Sequence, residues 1–259
     1  MRAMRAEGFS GYQDLKLVDI PKPAVSEGRV LVRITAAGVT PLEHTILSGG
    51  YPRAKAPLVL GGEGAGVVEE GGGTAFPAGS RVMFTGPYGV SENGTYSEWL
   101  AVRKQNLCLI PDNIEDLSAA GVPVAYLTAQ MTLSSAGFTK GKTVLSPAIG
   151  GSVGNAVTQM AKAQGAKHAI STTTNHSKAQ QARSLGFDEV IDLSVEKLSD
   201  GVSPDHGRLW RRYRDRCNGR RNLERSSQHT LYRGKSDYIG LLRRAQDNHR
   251  GHGSYLEAR

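Results

Sequence analysis

The run Lys142-Thr-Val-Leu-Ser-Pro-Ala-Ile-Gly-Gly-Ser-Val-Gly154 decides how this 259-residue chain folds. Its first five residues form a short apolar strand, and the rest is a glycine-rich bend. Asn155 to Gly165 then carries helical spacing and ends on a glycine stop. Beyond it, His168-Ala-Ile-Ser171 reads as a strand, Ser177 to Leu185 with Gly186 as a helix and its stop, and Glu189-Val-Ile-Asp192 as a strand. The order β-α-β-α-β predicts one half of a doubly wound, parallel nucleotide-binding sheet. The bend itself spells Ala148-x-x-Gly151-x-x-Gly154, with an extra Gly150. Glycine is needed where the backbone turns sharply and where it touches a pyrophosphate. The helix that follows aims free N–H groups and its positive dipole end at the phosphates. Ala148, Gly150, Gly151, Ser152, Val153 and Gly154 are therefore the candidate dinucleotide cradle.

About twenty residues further on, NAD-type sites place an acid on the ribose 2′-OH. Here the chain has Ser171-Thr-Thr-Thr-Asn-His-Ser-Lys178, with no carboxylate. Hydroxyls and a lysine suit a 2′-phosphate. Thr173, Thr174 and Lys178 are thus candidate contacts, and NADPH is the expected cofactor.

Upstream the pattern is different. Arg29-Val-Leu-Val-Arg-Ile34 alternates at period two, and Gly64 to Val68 and Ser80 to Phe84 are further short strands between frequent Gly and Pro turns. Such spacing means a barrel or sandwich. Leu117 to Ala136 reads as one helix. The boundaries expected are 1–118 for the β-rich domain, 119–202 for half of the nucleotide-binding domain, and 203–259 for a tail. No stretch approaches the ~20 apolar residues of a membrane span, and no secretory signal is evident, so a cytoplasmic protein is expected. Two cysteines, Cys108 and Cys217, exclude a disulfide framework or a multi-cysteine metal site.

Gly38-Val-Thr-Pro41, Leu60-Gly-Gly-Glu-Gly-Ala-Gly-Val67, Gly94-Thr-Tyr-Ser-Glu98 and Ala119 to Ala129 precede the glycine-rich bend in that order. Together, over about residues 1–202, they resemble the zinc-independent quinone-oxidoreductase branch of the medium-chain dehydrogenases/reductases. The resemblance implies a GroES-like β-barrel joined to a Rossmann domain, here truncated. It also implies NADPH-dependent hydride transfer to a quinone or α,β-unsaturated carbonyl. Zinc enzymes of the superfamily carry Cys near position 40 and Gly-His-Glu where this chain has Gly62-Glu63; here Thr40 stands at the first position and the His is absent. No metal is expected. By the same resemblance Thr40, Glu43, Tyr51 and Thr128 would line the acceptor pocket. The family often has Asn at the position of Thr40 and Asp at that of Glu43.

The net charge of +8 suggests nucleic acid at first sight. Residues 1–202, however, hold 18 Lys/Arg and 18 Asp/Glu, whereas 203–259 hold 14 and 6. The excess is confined to an Arg-rich tail without Val, Phe or Met. One reading is a basic arm for nucleic acid. The reading adopted is translation out of frame after one inserted base, or two lost, near the codons of Val202 and Ser203. Arg codons of the form CGN, read one base later, begin with G, and the shifted frame permits a string with ADIVID, a Gly-Gly turn, KVTI and KITIEV without a forced stop. Those are the elements the resemblance leaves missing. On this reading no nucleic-acid partner is expected and the tail is disordered. The first strand's apolar edge is left open, the family's homodimer is compromised, and the chain is at best weakly active.

Overall fold

The computed structural model describes residues 1–187, 189–198, 230–233 and 238–242, the last two segments as backbone strands. Its contacts divide the chain into two units, Met1–Leu127 and Thr128–Arg259.

The first unit contains β1 (Arg2–Ala6), β2 (Leu15–Asp19), β3 (Arg29–Ala37), α1 (Pro41–Leu47), β4 (Leu58–Val59), β5 (Glu63–Glu70), β6 (Arg81–Thr85), β7 (Trp99–Arg103), β8 (Leu107–Leu109) and α2 (Asp116–Ala120). They form a three-stranded sheet ordered β2-β1-β4 and a five-stranded sheet ordered β7-β3-β5-β6-β8. Valines dominate the larger sheet because a branched Cβ fits a pleated, buried surface. Val30, Val32, Val68, Val82, Phe84, Leu100 and Val102 close one core around Tyr88. Each such side chain stabilises by about 1.5–3 kcal/mol on burial. A second core, Ala6, Ile46, Leu47, Ala54, Leu58 and Leu60, brings α1 together with β1 and β4. Ala119 and Ala120 let α2 approach Ala65 and Ile110 closely.

The single helix expected over 117–136 is two. α2 ends at Ala120, and α3 (Pro123–Ser135) starts afresh. Gly121 and Val122 interrupt it, and Pro123, lacking an N–H, suits a helix's first position and not its interior. The division between units falls inside α3, nine residues beyond the boundary expected from the sequence.

In the second unit β9 (Thr143–Ser146), α4 (Ser152–Ala163), β10 (His168–Thr173), α5 (His176–Ser184) and β11 (Val190–Asp192) follow in turn. β9 pairs parallel with β10 from Thr143↔His168 to Ser146↔Ser171, and β10 with β11 from Ser171↔Val190 to Thr173↔Asp192. This is the β-α-β-α-β half expected, with the carboxyl ends of its three strands on one edge. Ile149, Ala179, Ala182 and Val190 pack together, as do Ile170 and Ile191.

One expectation is corrected. The first strand's edge is not open: β13 (Tyr238–Leu242) pairs parallel with β9 from Tyr238↔Thr143 to Gly240↔Leu145, and β12 (Thr230–Arg233) pairs antiparallel with β13. The sheet order is β11-β10-β9-β13-β12. An edge strand presents unpaired N–H and C=O groups that a short apolar segment can satisfy, and Tyr238-Ile-Gly-Leu-Leu242 is the most apolar run of the tail. The tail expected to be disordered throughout thus contributes two strands; its remaining residues lie outside those described. No helix among the described residues is long and apolar enough to cross a membrane.

Candidate functional site

The cradle is built at the carboxyl end of β9. Ala148 sits at φ 65, which turns the chain sharply after Pro147. The bend is braced to the next strand, with Ile149 N donating to Thr172 O at 2.9 Å and Ala148 N to Thr172 Oγ1 at 3.3 Å. Gly151 N donates to Ala148 O at 2.8 Å, and Gly151 caps α4 without a side-chain bond. The first-turn N–H groups of Ser152, Val153 and Gly154 therefore lack intrahelical acceptors, and an anion set before them meets both donors and dipole. Gly154 is required: a Cβ there would lie 2.3 Å from Pro147 O and 2.4 Å from Ala148 O.

Beside this bend lies the end of β10. Thr173 is buried, while Thr174 and Lys178 are exposed. Asn175 caps α5, its side-chain oxygen accepting from Lys178 N at 3.0 Å. The Lys178 side chain reaches back across the bend, so that a Cβ on Gly150 would meet its Cδ at 3.2 Å and its Nζ at 3.6 Å. Phosphate-binding bend and lysine are thus neighbours. The acid at the end of β11, Asp192, is 1% exposed. One of its oxygens accepts from the Ser194 N–H and hydroxyl, and the other meets His176 Nδ1 at 2.7 Å. The Ser194 hydroxyl, followed by His176 and the Ser194 amide, holds the Asp192 carboxyl below its usual range, against the opposing effect of burial.

In the first unit, Thr40 and Glu43 form a capping box on α1. Glu43 Oε2 accepts from Thr40 N at 2.8 Å and Thr40 Oγ1 at 2.7 Å. Its Oε1 accepts from Gly62 N at 3.1 Å. Glu63 is also buried, 4% exposed, with Oε2 accepting from Val124 N at 2.7 Å. Burial pushes its carboxyl up; the Val124 amide opposes that and the Glu43 charge adds to it. Tyr96 lies near both acids. Burial, then Glu43 and Glu63, push its hydroxyl well above the usual range, and its oxygen is buried without a hydrogen-bond partner among the described residues.

Residues 26–112 match the alcohol dehydrogenase GroES-like domain family. The NADPH-dependent alkenal/one oxidoreductase of Arabidopsis thaliana, a chloroplastic protein, is 31% identical over 212 residues, covering 77% of this chain and 54% of that one. An alcohol dehydrogenase of Geobacillus stearothermophilus is 31% identical over 233 residues, covering 80% and 68%. Among solved structures, the quinone oxidoreductase of Thermus thermophilus, known also in complex with NADPH, superposes with a TM-score of 0.64 at 31% identity over 75% of this chain and 60% of that one. The chain belongs to the alcohol-dehydrogenase-like medium-chain dehydrogenases/reductases. It spans about half the length of the Arabidopsis relative.

In this chain the sequence-derived residues fall into separate groups. Ala148, Gly150, Gly151, Ser152, Val153, Gly154, Thr173, Thr174 and Lys178 cluster at the strand ends of the second unit. Thr40 and Glu43 are joined to each other, and Tyr51 packs against the core that includes Ile46 and Leu47. Thr128, on α3, begins the second unit. Glu43 takes a structural part: both its oxygens are engaged inside the protein, and it ties together Thr40 and Gly62, the positions where zinc relatives by resemblance carry ligands. Among the described residues no group of three or more His, Cys, Asp or Glu side chains is arranged to hold a metal. Sequence reasoning did not single out Asp192, His176, Glu63 or Tyr96 as site residues. Asp192 was open to view as the last residue of a strand in a parallel sheet, where ligands bind. Glu43, Glu63 and Tyr96 each fall within a stretch that the sequence singled out, but they come from three separate segments and only the fold brings them near one another.

Proposed function

We propose that this chain serves NADPH-dependent hydride transfer to a quinone or an α,β-unsaturated carbonyl, without zinc. The observation that carries the reading is the uncapped start of α4 at Gly151, with Lys178 lying across the same bend. The residues fit a dinucleotide: the free N–H groups at the start of α4 would receive the pyrophosphate, and Lys178, lying over Gly150, would supply a cation to the phosphates. The acid at the neighbouring strand end, Asp192, has both oxygens occupied by Ser194 and His176, which argues against its use on a ribose 2′-OH and favours NADPH over NADH. The names of the Arabidopsis and Thermus proteins support the same cofactor and acceptor classes. Zinc independence is supported by the donor set. Thr40 and Gly62 offer neither thiolate nor imidazole, and Glu43 already accepts three hydrogen bonds.

When bound, the nicotinamide supplies the hydride. An electron-poor acceptor delocalises the developing charge itself, so the protein's task is chiefly positioning and exclusion of water. The start of α4 and Lys178 fix the phosphates; Thr40, Tyr51 and Thr128 are the residues we assign to the acceptor side. We further read residues 203–259 as translated out of frame, and sequencing of the gene around codon 202 tests that directly. The functional test is NADPH oxidation with a benzoquinone and with an enone, in the chain as written and in its frame-restored form. Turnover by the restored form, unaffected by chelators, is expected. Failure of the restored form to bind NADPH, or a requirement for zinc, overturns the assignment.

A further inference from the structure

We propose that Glu43 sets acceptor selectivity by holding the Thr40 hydroxyl, so that Thr40 gives the acceptor's oxygen no hydrogen-bond donor and carbonyls that depend on one are disfavoured. This deepens the functional reading above and rests on it, Thr40 being assigned there to the acceptor side. A threonine hydroxyl has one hydrogen to donate and two lone pairs that accept. In Thr40 all three are spent within α1. Oγ1 donates to Glu43 Oε2 at 2.7 Å and accepts from Leu42 N at 3.2 Å. The capping box brings the Glu43 amide to it as a second donor. The carboxylate that takes the hydrogen is itself fixed. Glu43 is 5% exposed, and it also accepts from Thr40 N at 2.8 Å and, through Oε1, from Gly62 N at 3.1 Å. Releasing Thr40 would strand buried N–H groups and a buried carboxylate without partners, which is costly. Half-buried Thr40 is therefore available to an acceptor for apolar contact and not as a donor.

The want of a donor acts unequally on the two acceptor classes. In a simple enone, hydride from NADPH, which leaves as NADP⁺, forms a C–H bond at the β-carbon. The displaced π pair collects on one oxygen as an enolate, and a solvent proton at the α-carbon completes the saturated ketone. Hydride addition to a quinone gives a hydroquinone monoanion whose charge an aromatic ring shares, and a solvent proton completes the hydroquinone. A donor aimed at the oxygen stabilises the first, more localised anion more than the second. One such hydrogen bond in a half-buried site amounts to about tenfold in kcat/KM.

The test is NADPH oxidation by the full chain and by its frame-restored form, read as the ratio of kcat/KM for cyclohexenone to that for benzoquinone. In Thr40→Asn the side-chain oxygen still caps α1, one amide hydrogen meets Glu43 and the other is free. The ratio should rise about tenfold. Glu43→Ala frees the Thr40 hydrogen and should raise the ratio in the same direction, and adding Thr40→Val should abolish that rise. Thr40→Val alone should shift both acceptors by a common factor, through the lost cap. Should Glu43→Ala fail to fold, Thr40→Asn and Thr40→Val decide. A selective fall for cyclohexenone in Thr40→Val overturns the inference, because the native hydroxyl then serves the acceptor. So does a ratio unmoved by Thr40→Asn, and either result leaves the functional reading intact. Turnover of neither acceptor by either form overturns that reading, and this inference with it.

Discussion

Replacing Gly154 by Ala puts the cofactor cradle to its most direct physical test. The new methyl would sit 2.3 Å from Pro147 O, 2.4 Å from Ala148 O and 3.0 Å from Ala148 C. That is roughly 1 Å inside ordinary contact with two backbone atoms. The bend cannot simply retreat, because Ile149 N and Gly151 N hold it at 2.9 and 2.8 Å to Thr172 O and Ala148 O. Overpacking of this kind costs about 1–3 kcal/mol, against which the better helix propensity of Ala returns about 1 kcal/mol. A net loss of up to about 2 kcal/mol is expected, seen as a fall of up to several degrees in Tm. The shift also moves the α4 donors off the phosphate position, so NADPH affinity should drop by about tenfold or more, as for loss of one charge-assisted hydrogen bond. Thermal unfolding and titration of NADPH fluorescence measure both. Gly150→Ala is the matched control, since its methyl would meet only the flexible side chain of Lys178, with Cδ nearest at 3.2 Å. Its Tm should be unchanged. Native Tm and affinity within about twofold of native for Gly154→Ala would refute the close-approach argument.

Three further outcomes follow from the same geometry. Lys178→Ala should weaken NADPH about tenfold while leaving NADH within about twofold, by the charge-assisted contact it removes; equal loss for both nucleotides would assign the lysine to the pyrophosphate or to the fold. Glu43→Ala removes the α1 capping box and the link to Gly62, and should destabilise by about 1–3 kcal/mol in chemical denaturation; an unchanged midpoint would return Glu43 to the pocket. Glu63 has its folded carboxyl raised above the ordinary 4.5. Its contribution to stability is therefore full below that value and is lost as pH rises through the raised one. Glu63→Gln keeps an acceptor for Val124 N and abolishes the loss, so the variant's Tm relative to native should improve as pH rises above the ordinary 4.5 and level off once the raised value is passed. A constant difference would argue against a buried, strained carboxylate.

The nucleotide-binding half of the molecule was legible from residue order. Strand, bend and helix from Lys142 to Gly165 are contiguous, and the constraint at Gly154 comes from atoms only six and seven residues away. Short-range sterics and hydrogen bonding leave a local signature that hydrophobic period and glycine spacing reveal. The break between α2 and α3 was equally local, written in Gly121 and Pro123, although the apolar spacing across it read as one helix. The remainder waited on packing. Glu43 became an internal tie because Gly62, 19 residues on, is brought to its carboxylate by the fold. His176 meets Asp192 across 16 residues only because β10 and β11 align in register. The edge of β9 was covered by a segment nearly a hundred residues downstream in the chain, which no periodicity could announce. Side chains distant along the chain acquire partners, and buried charges acquire their protonation preference, only from the way strands and helices close upon one another.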